Sequence, residues 1–157
     1  MLSACGGRTQ LIALPQIGQI ADNAIIDGGG GITIVARSET WSGPSLDGIV
    51  PIELTIDNGS SVPVRIRHPD FVLVTRRGRI LPLAPPFQGV DAETSLLAPA
   101  LAQRALMEGV LQPGAGVTGF IYFPNLDDAD NVDLVATFVN ASTNAVIATV
   151  QMYFEVD

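Results

Sequence analysis

Glycine or proline interrupts this chain every ten or so residues, and the stretches between are rich in Val, Ile, Thr and Phe. Proline removes a backbone N–H and glycine weakens any regular interior, so long helices are disfavoured and short strands joined by turns remain. The clearest strand spans residues 48–57, where Ile52, Leu54 and Ile56 alternate with Glu53, Thr55 and Asp57, predicting one buried face and one wet face. Asn58-Gly59-Ser60-Ser61 then predicts a tight hairpin turn, because Asn-Gly readily takes positive φ. The return strand is Val62 to Arg67, with Val62, Val64 and Ile66 inward and Arg65 and Arg67 outward. Pro63 lacks an N–H, which places this strand at an edge or starts it at the proline.

The same pattern continues along the chain. Phe71–Thr75 and Ile80–Leu83 flank a turn at Arg76–Arg79. Val117–Phe123 stands apart, and Val132–Val139 and Ala145–Val156 flank a hairpin loop at Asn140–Asn144. Upstream, Ile32–Ala36 and Gln10–Leu14 complete the set. Seven to nine strands at this spacing predict an all-β, antiparallel sandwich. One stretch breaks the pattern: Leu96, Leu97, Ala100, Leu101, Arg104, Ala105 and Glu108 recur at three- and four-residue steps. With Pro99 at its first position, this predicts one helix of two or three turns, ending at Gly109 and packed across an end or edge of the sandwich.

Composition sets the frame for function. The 157 residues suit a single domain, taken as residues 10–157 after a tail of residues 1–9. Gly28-Gly29-Gly30-Gly31 reads as a flexible link between the N-terminal segment and the sandwich. Apolar residues make up 47% and charged residues 15%, which argues against disorder, and no run approaches the length of a membrane-spanning helix. All eight basic residues are arginine. A chain without lysine has no Walker-type phosphate loop, no Schiff-base chemistry and no Ser-Lys catalysis. A net charge of −8 argues against nucleic acid as a partner.

Catalysis is hard to build from what remains. His68 is the sole histidine and no Gly-x-Ser-x-Gly elbow accompanies it, so it reads as a corner residue bonding nearby backbone. One histidine and one cysteine serve zinc poorly. Asp127, Asp128, Asp130 and Asp133 lack the spacing of an EF-hand loop and read as a solvated acidic loop, with a hard-cation site as the alternative. No cofactor and no small-molecule substrate is expected. Arg65, Arg67, Arg76, Arg77 and Arg79 concentrate positive charge in an acidic chain. They suit contact with lipid phosphates, lipopolysaccharide or an acidic protein, or they guard an exposed strand against aggregation. Trp41, the only tryptophan, lies in a turn-like stretch, either plugging the sandwich end or lining a binding surface.

Two resemblances add to this reading. Leu2-Ser3-Ala4-Cys5, followed by Gly6 and Gly7, resembles the lipobox of bacterial lipoproteins. That likeness implies a diacylglyceryl group on the Cys5 sulfur, cleavage before Cys5, and an anchor that needs no hydrophobic patch on the fold. Gly6 after the cysteine would imply the outer membrane. The second resemblance lies in the strands near Pro51 and Pro63, Asp70-Phe71-Val72-Leu73, and Leu111-Gln112-Pro113-Gly114 leading into Gly119–Pro124. This order is similar to the immunoglobulin-like β-sandwiches of bacterial lipoproteins of unassigned function, although the Cys-Trp-Cys spacing of antibody domains is absent. The expectation is a non-enzymatic, lipid-anchored cell-envelope protein facing the periplasm. Its partners would be the membrane, through Cys5, and another envelope protein. The alternative is a soluble secreted module that binds carbohydrate or protein.

Overall fold

The computed structural model describes residues 11–13, 19–21, 24–43, 49–82, 100–124 and 131–156. Among these it forms twelve strands: β1 Leu11–Ala13, β2 Gln19–Ala21, β3 Ala24–Gly29, β4 Ile32–Arg37, β5 Ile49–Asn58, β6 Val64–Ile66, β7 Phe71–Thr75, β8 Ile80–Pro82, β9 Gly109–Leu111, β10 Gly116–Pro124, β11 Asn131–Asn140 and β12 Val146–Val156. The nine expected strands are all present, and β2, β3 and β9 join them. One sheet runs β10-β5-β4-β3-β2, and the other runs β1-β12-β11-β6-β9, with β7 and β8 continuing the columns of β6 and β9. Every strand pairing in both sheets is antiparallel.

This connectivity is that of an immunoglobulin-like sandwich. β4, β5 and β10 lie side by side as the A, B and E strands do, and β12, β11 and the β6/β7 pair take the places of G, F and C. A single turn of 3-10 helix at His68–Asp70 splits the C strand in two. As a result β6 meets the far end of β11 at Val139 and Asn140, while β7 pairs with residues 132–136.

The alternation read in β5 places Ile52, Leu54 and Ile56 in the core, completely buried. They meet Phe71, Leu73, Leu134, Phe138, Met152 and Phe154 from the facing sheet. The rings of Phe71 and Phe138 cross edge-to-face, with centroids 6.3 Å apart. Glu53 turns outward and pairs with Arg37 at 3.8 Å. Pro51 sits in a central strand without loss, because β4 pairs with β5 only from Glu53 onward; at Pro51 the strand is paired with Tyr122 alone.

Two local expectations are overturned. Asn58-Gly59 is not a hairpin turn: β5 and β6 belong to different sheets, so residues 59–63 cross between layers. Asn58 is buried and its side chain holds the crossing together. Its Nδ2 donates to the carbonyls of Val62 at 2.8 Å and Leu111 at 2.9 Å, and its Oδ1 accepts from the Ser60 N–H at 3.0 Å. Nor is Gly28–Gly31 a flexible link. Gly28 and Gly29 end β3, and Gly30 and Gly31, at φ 60 and 84°, form the two-residue turn into β4. Positive φ at both central positions is the geometry that matches the twist of paired strands.

The helix is where it was expected but stops early. Residues 100–104 are helical, and residues 91–99 lie outside the described set. Ala105 then bridges to Phe120, the Leu106 N–H donates to the Phe120 carbonyl at 2.8 Å, and the Leu106 side chain joins the main core. A helix continued to Gly109 would forfeit that burial. No helix among the described residues is long and apolar enough to cross a membrane.

Candidate functional site

Residues 71–82 fold into a hairpin, β7–β8, whose turn carries three of the five arginines singled out from the sequence. The Gly78 N–H donates to the Thr75 carbonyl at 2.8 Å, and the Thr75 N–H donates to the Arg79 carbonyl at 2.9 Å. The Thr75 hydroxyl accepts from the Arg79 N–H at 3.1 Å, and Gly78 takes φ 80°. A β-turn followed by a left-handed glycine is a common three-residue hairpin. It holds Arg76, Arg77 and Arg79 on an exposed tip, with Ile80 beside them 63% exposed.

The other two arginines are elsewhere. Arg65 aligns with Val139 and Thr75 with Val132 on the same strand, so seven residues of β11, about 23 Å at ~3.3 Å per residue, separate them. Arg65 donates through Nη2 to the Ala141 carbonyl at 3.2 Å. Arg67 grips Asp70 through Nε at 3.3 Å and Nη2 at 3.1 Å, and that hydrogen bond and charge raise its already high pKa further. The sequence cluster thus divides into a pair tied to backbone and carboxylate and a separate exposed tip.

His68 bonds backbone, although not the backbone nearby in sequence. Its Nε2 donates to the Leu106 carbonyl at 2.6 Å, while Glu108 accepts from the His68 N–H at 3.1 Å and stands 3.6 Å from Nδ1. The carbonyl has no proton to give, so Nε2 carries the hydrogen. The ring straps residues 105–108 onto the turn between β6 and β7. Cys5 lies outside the described residues, as do Asp127, Asp128 and Asp130. Asp133 is half-buried on β11, paired across to Tyr153 and Val74, and loss of water raises its carboxyl pKa. Among the described residues, no three His, Cys, Asp or Glu side chains gather as a cation site.

Trp41 neither plugs an end nor stands free. Phe120 and Tyr122 point away from the main core and, with Leu101, make a second apolar cluster that Trp41, Ile49 and Ala105 cover. Trp41 meets Phe120 and Tyr122 edge-to-face at 5.0 and 5.8 Å, and the Arg104 guanidinium lies over its ring at 5.1 Å. The Tyr122 hydroxyl donates to the Leu101 carbonyl at 2.8 Å, and burial pushes its pKa up to about 12. Sequence reasoning missed this clasp. Its one signal was the unbroken run Gly119-Phe120-Ile121-Tyr122-Phe123, too apolar for a strand with a wet face. Trp41 and Arg104 are too far apart in the chain for any spacing rule to pair them.

No protein-family model matches the chain, and no curated protein does. Its fold is similar to that of a Bacillus subtilis subsp. subtilis str. 168 protein, ycdA, described as a "putative lipoprotein". The two are 12% identical with a TM-score of 0.56, and the match covers 83% of this chain and 38% of that one. The Bacillus subtilis yjhA protein aligns with a TM-score of 0.48 at 17% identity, over 71% of this chain and 76% of that one. The chain therefore spans well under half the length of ycdA, and at 12% identity that likeness speaks to fold alone.

Proposed function

We propose that this is a non-enzymatic, lipid-anchored cell-envelope protein, held through Cys5 and presenting its sandwich to another envelope component. The carrying observation is the lipobox-like Leu2-Ser3-Ala4-Cys5, separated from the first strand only by Gly6 to Gln10. Two further points support it: the shared fold with a protein described as a "putative lipoprotein", and a histidine engaged in strapping one loop to another. Gly6 favours the outer membrane, with the sandwich on the periplasmic side.

The anchor is tested by producing the protein with its native upstream sequence in a bacterial host and separating detergent and aqueous phases. Wild type should enter the detergent phase, and a tryptic peptide beginning at Cys5 and ending at Arg8 should carry the mass of a diacylglyceryl group. Cys5→Ser should move the protein to the aqueous phase. Identical partitioning of wild type and variant would overturn the anchor and leave the soluble secreted binding module as the better reading.

A further inference from the structure

The register of the second sheet fixes where a tether on Cys5 leaves the sandwich. β1 begins at Leu11, which pairs with Val156; the next level of the sheet holds Glu155 against Asn131, and the next joins Phe154, Val132 and Thr75. Leu11 therefore lies at the same end as the Arg76–Arg79 turn, and the Asn140–Ala145 turn between β11 and β12 lies at the opposite end. Across that end, β1 and β7 are three strands apart, about 14 Å at ~4.8 Å per strand. The six peptide steps from Cys5 to Leu11 span at most about 20 Å. An anchor on Cys5 thus holds this end of the sandwich close to the bilayer.

From this placement we infer that the β7–β8 hairpin is the membrane-facing contact of the tethered protein, with Arg76, Arg77 and Arg79 engaging anionic lipid headgroups and Ile80 resting at the interface. The inference rests on the lipid-anchor reading. Guanidinium groups match phosphate oxygens in a fork geometry, and an exposed apolar residue beside them suits the headgroup boundary. The chain's net charge of −8 opposes such a contact for a free domain. Asp133 stands at this end, and the segment with Asp127, Asp128 and Asp130 leads into β11 there. The tether changes the balance. It makes the encounter intramolecular, so a weak contact that would not recruit the domain from solution still orients it.

The single cysteine gives a clean test. The full chain is coupled through Cys5 to a maleimide lipid in nanodiscs doped with a gadolinium-chelating lipid, and amide relaxation is compared between the two turns. On discs of phosphatidylcholine with phosphatidylglycerol, amides of residues 76–80 should relax severalfold faster than those of Ser142–Asn144. On phosphatidylcholine alone, and for R76S/R77S/R79S on anionic discs, the excess should fall sharply while the rest of the amide spectrum is unchanged. Equal relaxation at both turns overturns the orientation, and an excess indifferent to lipid charge or to the triple variant overturns the headgroup contact. Because the coupling is chemical, this result is independent of whether the cell lipidates Cys5, which phase partitioning decides.

Discussion

Tyr122 shows how much one side chain's surroundings decide. Its ring is buried under Trp41 and its hydroxyl is committed to the Leu101 carbonyl. Burial raises its pKa from 10.0 to about 12, so above pH 10 the unfolded chain loses this proton before the folded one does. The folded state then holds more protons, and stability falls as pH rises. The contribution is fully present below pH 10 and is lost as pH climbs through about 12. Melting temperature should therefore drop across this window, with a shallower drop for Tyr122→Phe. At neutral pH that variant should cost about 1 kcal/mol, the worth of a hydrogen bond whose acceptor is left unpaired. Thermal melts at stepped pH check both statements. Asn58 makes the parallel point at the sheet crossing: it is the single buried polar residue among the described residues, and its amide satisfies partners in the crossing segment, at Ser60 and Val62, and on β9, at Leu111.

Among the elements, the β3–β4 hairpin differs most from its sequence reading. Four consecutive glycines suggest slack chain, yet the pairing of Gly29 with Ile32 leaves only Gly30 and Gly31 to turn. A Cβ on Gly30 would both strain a left-handed backbone and come within 2.7 Å of Ile147 Cγ2. A Cβ on Gly78, in the β7–β8 turn, would meet nothing within 4 Å and add backbone strain alone. Gly30→Ala should accordingly destabilise by about 2 kcal/mol and Gly78→Ala by about 1 kcal/mol. Urea denaturation of both variants measures the difference; a slack linker would give no loss at position 30. The helix teaches a related lesson. A helical stretch at residues 100–104 was legible from periodicity, but its end was not, because burying Leu106 and pairing its N–H outweigh one further helical turn.

For the whole molecule, alternation was enough to find nine strands, and Ile52, Leu54, Ile56, Val64 and Ile66 line the core as read, whereas Val62, also read as inward, precedes β6 and is only half-buried. What alternation cannot supply is partnership. β5 and β6 look like a hairpin in one dimension, yet they belong to different sheets, and the connection between them is one of those at which the chain changes sheet. Leu106, in an irregular segment, fills the space between the sheets, and Gly119 is bare because the Leu106 backbone would stand 2.5 Å from its Cβ. Leu106→Ala should therefore cost about 3 kcal/mol, as for a leucine inside a regular element. Chemical denaturation followed by Trp41 fluorescence measures it, and a loss near zero would mean that the segment is peripheral.

The candidate site divides along the same line. Residue chemistry alone pointed to Cys5, to an arginine-rich stretch and to a chain poor in catalytic groups, because those properties are local and additive. Only the tertiary structure separated Arg65 and Arg67 from Arg76, Arg77 and Arg79, tied His68 to Leu106, and set the exposed hairpin at the end where β1 begins. Strand period is written in the sequence, since side chains alternate whatever the partner. Strand neighbours are not, since they follow from how two sheets close over one core.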